Sequence, residues 1–406
     1  GSTTKWGSAR LRVALALDNT GSMSSSGKMA AMQEAAKDLV DTLKATAKND
    51  GDVYISIIPF AKDVNAGPSN YAADWLDWSE WEAEPVFTKP SNWAEIGPGS
   101  SCPFGSSSHG FTCTDRPATA SGARSAGSIP SSGSYAGYIC PSIDNGRKNS
   151  TKSSVYYNGC YDSVPSGTTT ATVTVSSGRN ASCFGYSNCS CSGNGNNKVC
   201  TQTTTVTTYT HNWIKNARTT WNGCVTDRNK NYDTTADPPS SAATRFFSEQ
   251  HSACPTAITP LSYDWDNLKT EIDAMRPSGN TNQGIGMAWG WLSLLQQKPM
   301  NAPEHDANFK YNRVVILLSD GDNTQNRFST SVSAIDARQK ILCDNAKQAG
   351  IEVYTIQVNT DGSANSSVMQ YCASSPRHFF TTTTAGGIAA AFGQIATQLS
   401  QLRIAK

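Results

Sequence analysis

The stretch Leu11-Arg12-Val13-Ala14-Leu15-Ala16-Leu17 runs straight into Asp18-Asn19-Thr20-Gly21-Ser22. An apolar run with one charge in it reads as a strand buried on both faces, and the small polar residues after it as a loop. From Lys28, apolar residues recur at Met29, Met32, Ala36, Leu39, Leu43 and Ala47, which is helical spacing. Asn49-Asp50-Gly51-Asp52 stops that helix, and Val53–Phe60 (VYISIIPF) is a second apolar strand. Strand, helix and strand with short connections form a βαβ unit, which implies a parallel sheet.

The same alternation returns towards the other end. Helices are expected over Trp265–Met275, Gly284–Gln297 (bearing glycines), Ser333–Ala349, around 368–373 and over Gly387–Leu402. Strands are expected over Arg313–Leu318 (RVVILL), Ile351–Val358 (IEVYTIQV) and, more weakly, His378–Thr382. The fold class is therefore α/β: a doubly wound, mostly parallel sheet built from residues 1–61 and 256–406. Residues 62–255 do not alternate and read as a large disulfide-rich, β-containing insertion. Within it, Thr168–Val175 and Val199–Tyr209 are rich in Thr and Val and fit a hairpin. Trp75, Trp78, Trp81 and Trp93 open it; packing onto the sheet is favoured over a sugar or peptide platform.

The chain has 12 cysteines, ten of them between Cys102 and Cys254. So many in loop-like sequence point to disulfides and an oxidising compartment. Bridges are expected between Cys343 and Cys372, on neighbouring helices, and between Cys224 and Cys254, at the base of the insertion. Proximity suggests Cys102 with Cys113 and Cys140 with Cys160. Cys183, Cys189, Cys191 and Cys200 lack the paired spacing of a zinc site, so disulfides are favoured there too. Charged residues are 16%, with 33 basic and 32 acidic, a net charge of +1. That balance argues against a partner held by nucleic-acid phosphates. No stretch approaches the length of an apolar membrane span. Gly1-Ser2 reads as an added dipeptide, so the absence of an anchor within this stretch says little about what precedes it.

Ligands of open α/β sheets bind beyond the carboxyl ends of the strands. Two strands end there in oxygen-rich loops, Asp18-Asn19-Thr20-Gly21-Ser22 and Asp320-Gly321-Asp322, and a third polar loop contains Thr281. Asp18, Thr20, Ser22, Thr281 and Asp320 would form a hard oxygen site for a divalent cation, Mg²⁺ first, with Ca²⁺ or Mn²⁺ as alternatives. Two aspartates balance such an ion, and a coordination position is left for a partner's carboxylate. Alone, Asp18 to Ser22 could be a helix cap. The phosphate-loop alternative, GSMSSSGK over Gly21–Lys28, fails because five residues separate its glycines and Met29 follows the lysine. The five histidines are scattered with no nucleophile context, so an enzyme is not expected. His378 reads as structural, and Asp322 as a supporting carboxylate or a turn residue.

Leu17-Asp18-Asn19-Thr20-Gly21-Ser22-Met23, with Thr281 and Leu318-Ser319-Asp320-Gly321, resembles the metal-ion-dependent adhesion site of von Willebrand factor A domains. The resemblance implies that Thr20 and Ser22 coordinate through their hydroxyls, that Thr281 binds directly when a ligand is engaged, and that Asp18 and Asp320 act largely through water. Thr20 departs from the family's first serine but keeps the oxygen. Val13–Met23, Lys28-Met29, Ile58-Pro59-Phe60, Trp221–Val225, Cys254-Pro255, Ile258–Leu261, Met287–Trp291 and Asp320–Thr324 together resemble the TadG-like proteins of the tight-adherence (Tad/Flp) pilus. That resemblance implies a binding or adhesion module outside the cytoplasm, held by an N-terminal membrane segment. Its partner would be a pilus component or surface receptor offering an acidic side chain. The alternative is a structural pilus or envelope scaffold, in which the metal only stabilises loops and the insertion makes the contacts.

Overall fold

A computed structural model describes residues 9–84, 89, 91–97, 111–114, 138–141, 159–362 and 364–404. The apolar run becomes β1 (Arg10–Asp18), followed by α1 (Lys28–Thr46) and β2 (Val53–Phe60). Two short strands, β3 (Val64–Asn65) and β4 (Cys224–Val225), and the edge strand β5 (Thr259–Ser262) come next. Then follow α2 (Trp265–Asp273), α3 (Gln283–Ser293), β6 (Tyr311–Ser319) and α4 (Val332–Gln348). The chain closes with β7 (Glu352–Val358), α5 (Ser367–Cys372), β8 (Phe379–Thr382) and α6 (Ala385–Ile404).

The strands form one sheet in the order β4-β3-β2-β1-β6-β7-β8, with β5 pairing antiparallel to β2. From β2 to β8 every neighbour is parallel. The chain leaves β1 towards β2 on one side and returns as β6 on the other. The crevice between the ends of β1 and β6 is therefore the topological switch point, where ligands of such sheets bind.

Side-chain alternation along β1 builds two layers. Leu11, Val13, Leu15 and Leu17 face a core shared with α1, α2 and α6. Ala14 and Ala16 face the other core, with α3, α4 and α5. The alanines let α3 come close, and its glycines are required there. A Cβ on Gly286 would lie 2.4 Å from Phe60 Cδ1. Trp75, Trp78 and Trp81 are buried in this second core, as packing predicts and a ligand platform does not.

The chain divides into two compact units: residues 1–81 with 218–406, and residues 82–217. The boundary lies inside the 62–255 expected for the insertion. The flanks stay with the sheet because β3 and β4 extend it and Leu76–Asp77 pairs with Phe246–Phe247. Among the described residues, the second unit forms a five-stranded sheet dominated by two long antiparallel strands, Gly159–Ser177 and Val199–Lys215. They are much longer than the hairpin expected from the Thr/Val runs. At their base Tyr161 is buried beside Trp213 and Trp93, and Trp93 lies against His211.

Disulfides join Cys343 to Cys372 and Cys224 to Cys254, the two expected pairs, as well as Cys183 to Cys189 and Cys191 to Cys200. Of the other expected pairings, Cys102 with Cys113 falls outside the described residues at Cys102, and Cys140 with Cys160 rests on a Cys140 side chain that is not described. Among the described residues no cysteine is free, and no helix is long and apolar enough to cross a membrane.

Candidate metal centre

β1 delivers Asp18 to the switch point fully buried. Its Oδ1 accepts from the Thr20 backbone N–H at 2.8 Å, and its Oδ2 accepts from Ser319 Oγ at 2.6 Å. Burial, and after it the charge on Asp320, push the Asp18 carboxyl up to about 6. A divalent cation beside it would reverse that pressure by favouring the charged form.

The loop after β1 turns as a short 3₁₀ segment, Gly21–Ser24, which brings the Thr20 and Ser22 hydroxyls to 3.0 Å from each other. Ser22 Oγ donates to Asp320 Oδ1 at 2.7 Å, closing the gap between the two strand ends. Asp18, Thr20, Ser22 and Asp320 thus converge. The other oxygen of Asp320, Oδ2, accepts from the ammonium of Lys28.

Thr281 lies on the third loop, tied to the first by a Gly21 N–H bond to the Gly279 carbonyl at 3.0 Å. Its backbone is pinned by Thr324: the Thr281 N–H donates to Thr324 Oγ1 at 2.8 Å, and its carbonyl accepts from the Thr324 N–H at 2.9 Å. None of its hydrogen bonds reaches the other four residues. The donor set is hydroxyls and carboxylates, the hard oxygens that Mg²⁺ or Ca²⁺ prefers, so these residues fit such an ion.

Several neighbours escaped the sequence reading. Asp322 is exposed, and the buried residue of that loop is Asn323. Its Oδ1 accepts from the Gln283 N–H at 2.7 Å, and its Nδ2 donates to Gln339 Oε1 at 2.7 Å and to Asp336 Oδ1 at 2.8 Å. This network fixes the start of α3 against α4, and so holds the third loop. Below that loop lies a fully buried ion cluster. Lys62 Nζ donates to Glu249 at 2.5 and 2.6 Å and lies 3.2 Å from Asp63, which in turn contacts His251. The Asn282 amide donates to the Lys62 carbonyl at 3.2 Å, joining the cluster to the loop. Lys28 left a legible signal: a lysine opening a helix opposes the helix dipole, which favours anions at that end.

Two other groups of potential metal ligands come together, Asp63 with Cys224 and His251, and Cys183 with Cys191 and Cys200. All four cysteines are in disulfides, so neither group offers the thiolate a metal would take. His378 is held by Ser375 at 2.6 Å and Glu352 at 2.8 Å and packs on Tyr354, a structural arrangement.

Residues 240–394 match the family model of the von Willebrand factor type A domain. The match takes in Thr281 and Asp320, while Asp18, Thr20 and Ser22 precede it. No curated protein matches the chain. Similar solved structures include the pilus adhesin SpaC from Lactobacillus rhamnosus GG, at 10% identity and a TM-score of 0.39, covering 98% of this chain and 32% of that one. Another is the vWF domain of the type V pili tip protein Mfa5 from Porphyromonas gingivalis, at 8% identity and a TM-score of 0.40, covering 97% and 95%. A third is proximal thread matrix protein 1 from the mussel byssus, at 12% identity and a TM-score of 0.36, covering 97% and 47%. The chain spans about a third of the length of the SpaC structure. Likeness this low says nothing of what the chain binds. Residues 240–394, within the sheet unit, are thus similar to a von Willebrand factor type A domain, and the parallel sheet covered by helices on both faces is the α/β fold expected from the sequence.

Proposed function

We propose that the sheet unit is an extracytoplasmic binding module that engages a protein partner through a divalent cation, Mg²⁺ first. Thr20, Ser22 and Thr281 would hold the ion by their hydroxyls, and Asp18 and Asp320 would balance its charge, largely through water. The partner supplies a carboxylate to complete the coordination. The observation that carries this reading is the convergence of Asp18, Thr20, Ser22 and Asp320 at the switch point of the sheet. The disulfides support an oxidising compartment. The resemblance of the motif set to TadG-like proteins supports a place in the assembly of a Tad-type pilus, or on it.

The test is thermal unfolding with and without Mg²⁺. An ion that binds only the folded state adds about 2.7 kcal/mol of stability at a hundred times its dissociation constant. The wild type should gain stability with Mg²⁺ and lose the gain on chelation, whereas Asp18→Ala should fold and show no gain. An equal Mg²⁺ response in both proteins would move the ion elsewhere and end this reading.

A further inference from the structure

Lys28 is the first residue of α1, and its ammonium is nearly buried, with 7% of the side chain exposed. Its partner Asp320 has a fully buried side chain. The lysine does nothing for its helix. The N-terminal turn of α1 carries no acidic residue, and its cap, Gly27, makes no side-chain hydrogen bond. A cation at that end is opposed by the helix dipole. Burying an ammonium is costly unless a carboxylate answers it, and Asp320 Oδ2 does. The molecule therefore keeps a fixed positive charge in contact with a carboxylate of the candidate metal centre.

The charge count follows. Asp18 and Asp320 contribute two negative charges and Lys28 one positive. A divalent cation then leaves the centre at plus one, and one further carboxylate brings it to neutrality. Without Lys28, the ion alone would neutralise the two aspartates, and an added carboxylate would leave an excess negative charge. In a buried setting, charges a few ångströms apart interact strongly enough for such a difference to decide affinity.

We infer that Lys28 sets the ligand dependence of the metal centre: it weakens binding of the ion alone and makes an anionic carboxylate ligand and the ion bind cooperatively. The inference rests on the reading of the centre as a divalent-cation site. It deepens that reading, because a module tuned in this way takes up its ion mainly together with an acidic partner. Coupling of this kind is reciprocal, so the ion strengthens the carboxylate by the same factor that the carboxylate strengthens the ion.

The experiment is titration with Mn²⁺, followed by its electron paramagnetic resonance signal, with and without acetate as the carboxylate probe. Mn²⁺ should bind wild-type protein more tightly in acetate than in chloride of equal ionic strength. In Lys28→Met, Mn²⁺ alone should bind at least about tenfold more tightly, and the acetate enhancement should shrink. Lys28→Arg, which keeps the charge, should retain the wild-type acetate dependence. Asp18→Ala should bind no Mn²⁺ at this site. If wild-type and Lys28→Met proteins bind Mn²⁺ alike, the inference on Lys28 fails while the metal centre stands. If acetate leaves wild-type affinity unchanged, the inference fails whether or not the variants fold. If neither wild type nor Lys28→Met binds Mn²⁺, both the centre and the inference fall.

Discussion

The two units solve the problem of staying folded by different means. In the sheet unit, Val13–Leu17 of β1 and Val314–Leu318 of β6 are wholly buried, covered by helices on both faces. In the other unit, the long strand Gly159–Ser177 is buried only over its first five residues and mostly exposed beyond them. A Thr-rich ladder that exposes both faces has little apolar area to withdraw from water. Its far end is instead cross-linked by Cys183–Cys189 and Cys191–Cys200. The sheet unit can thus hold buried charge, such as Lys62 or Asp18, because a dense core surrounds it. The hairpin holds none in its outer part. Sites that need desolvated, oriented carboxylates belong to the first kind of unit.

The sharpest way to break this contrast is to unbalance the buried charge. Lys62→Met removes the cation that faces Glu249 and Asp63, leaving two carboxylates buried with His251. Removing one partner of a buried pair costs about 3–5 kcal/mol, so the thermal midpoint of the sheet unit should fall by about 2–4 °C per kcal/mol. Calorimetry on the full chain would show it. A midpoint equal to that of the wild type would mean the cluster is wetter than its burial indicates.

A smaller effect tests whether the core tolerates an unanswered charge. Asp227 is buried and accepts from the Asn282 amide at 3.0 Å and the Arg327 N–H at 3.1 Å. Burial pushes its carboxyl from 3.8 up to about 6. Because the folded value is the higher one, the folded state binds more protons than the unfolded between those two values. Stability should therefore fall as pH rises through that window, with this group contributing at most about 1.4 kcal/mol per pH unit. Asp227→Asn keeps an oxygen for both donors and should flatten the slope between about pH 4 and 6, as read from denaturant midpoints across pH. An unchanged slope would place the titration in another group.

Much of the sheet was legible because its signals are local. Val53–Phe60 matches to the residue, since an apolar run bounded by Gly51-Asp52 and Lys62-Asp63 admits one strand. The helix expected to reach Gln297 ends at Ser293, where the Leu294 and Leu295 N–H groups bond three residues back and turn the chain out. The edge strand β5 was missed: four residues with Pro260 among them carry no period and lack a donor. At the site, the convergence of Asp18, Thr20, Ser22 and Asp320 was readable from their place at strand ends. The supports were not. Lys62 and Asp63 are residue types that seldom leave the surface unpaired, and the partner that lets Lys62 be core, Glu249, lies 187 residues away. Asn323, in a polar loop, and Gln283, at the start of α3, are buried because α4 packs over them.

The smallest expected effect sharpens the contrast most. If the sheet unit rests on its core and the outer hairpin on its cross-links, then removing Cys191–Cys200 should act locally. Cys191 and Cys200 face each other across paired strands, Cys189–Ser192 and Val199–Lys215. The bond closes a loop with a sequence separation of 9, so it limits a short stretch of the unfolded chain. Loop-closure entropy assigns such a bridge about 2–3 kcal/mol. That stability resides in the segment that opens, and local opening need not involve the rest of a protein. The Cys191→Ser, Cys200→Ser double variant should therefore leave the midpoint of the sheet unit within about 1 °C of the wild type, by the scaling of midpoint with stability. Backbone amides of Thr201–Thr204 should exchange faster with solvent, by roughly the factor of ten that each 1.4 kcal/mol of lost local stability represents. Hydrogen exchange and calorimetry on the same sample read both. A midpoint shift of several degrees in the sheet unit would show that the hairpin's cross-links support the core, and the two-mode account of this chain would have to be given up.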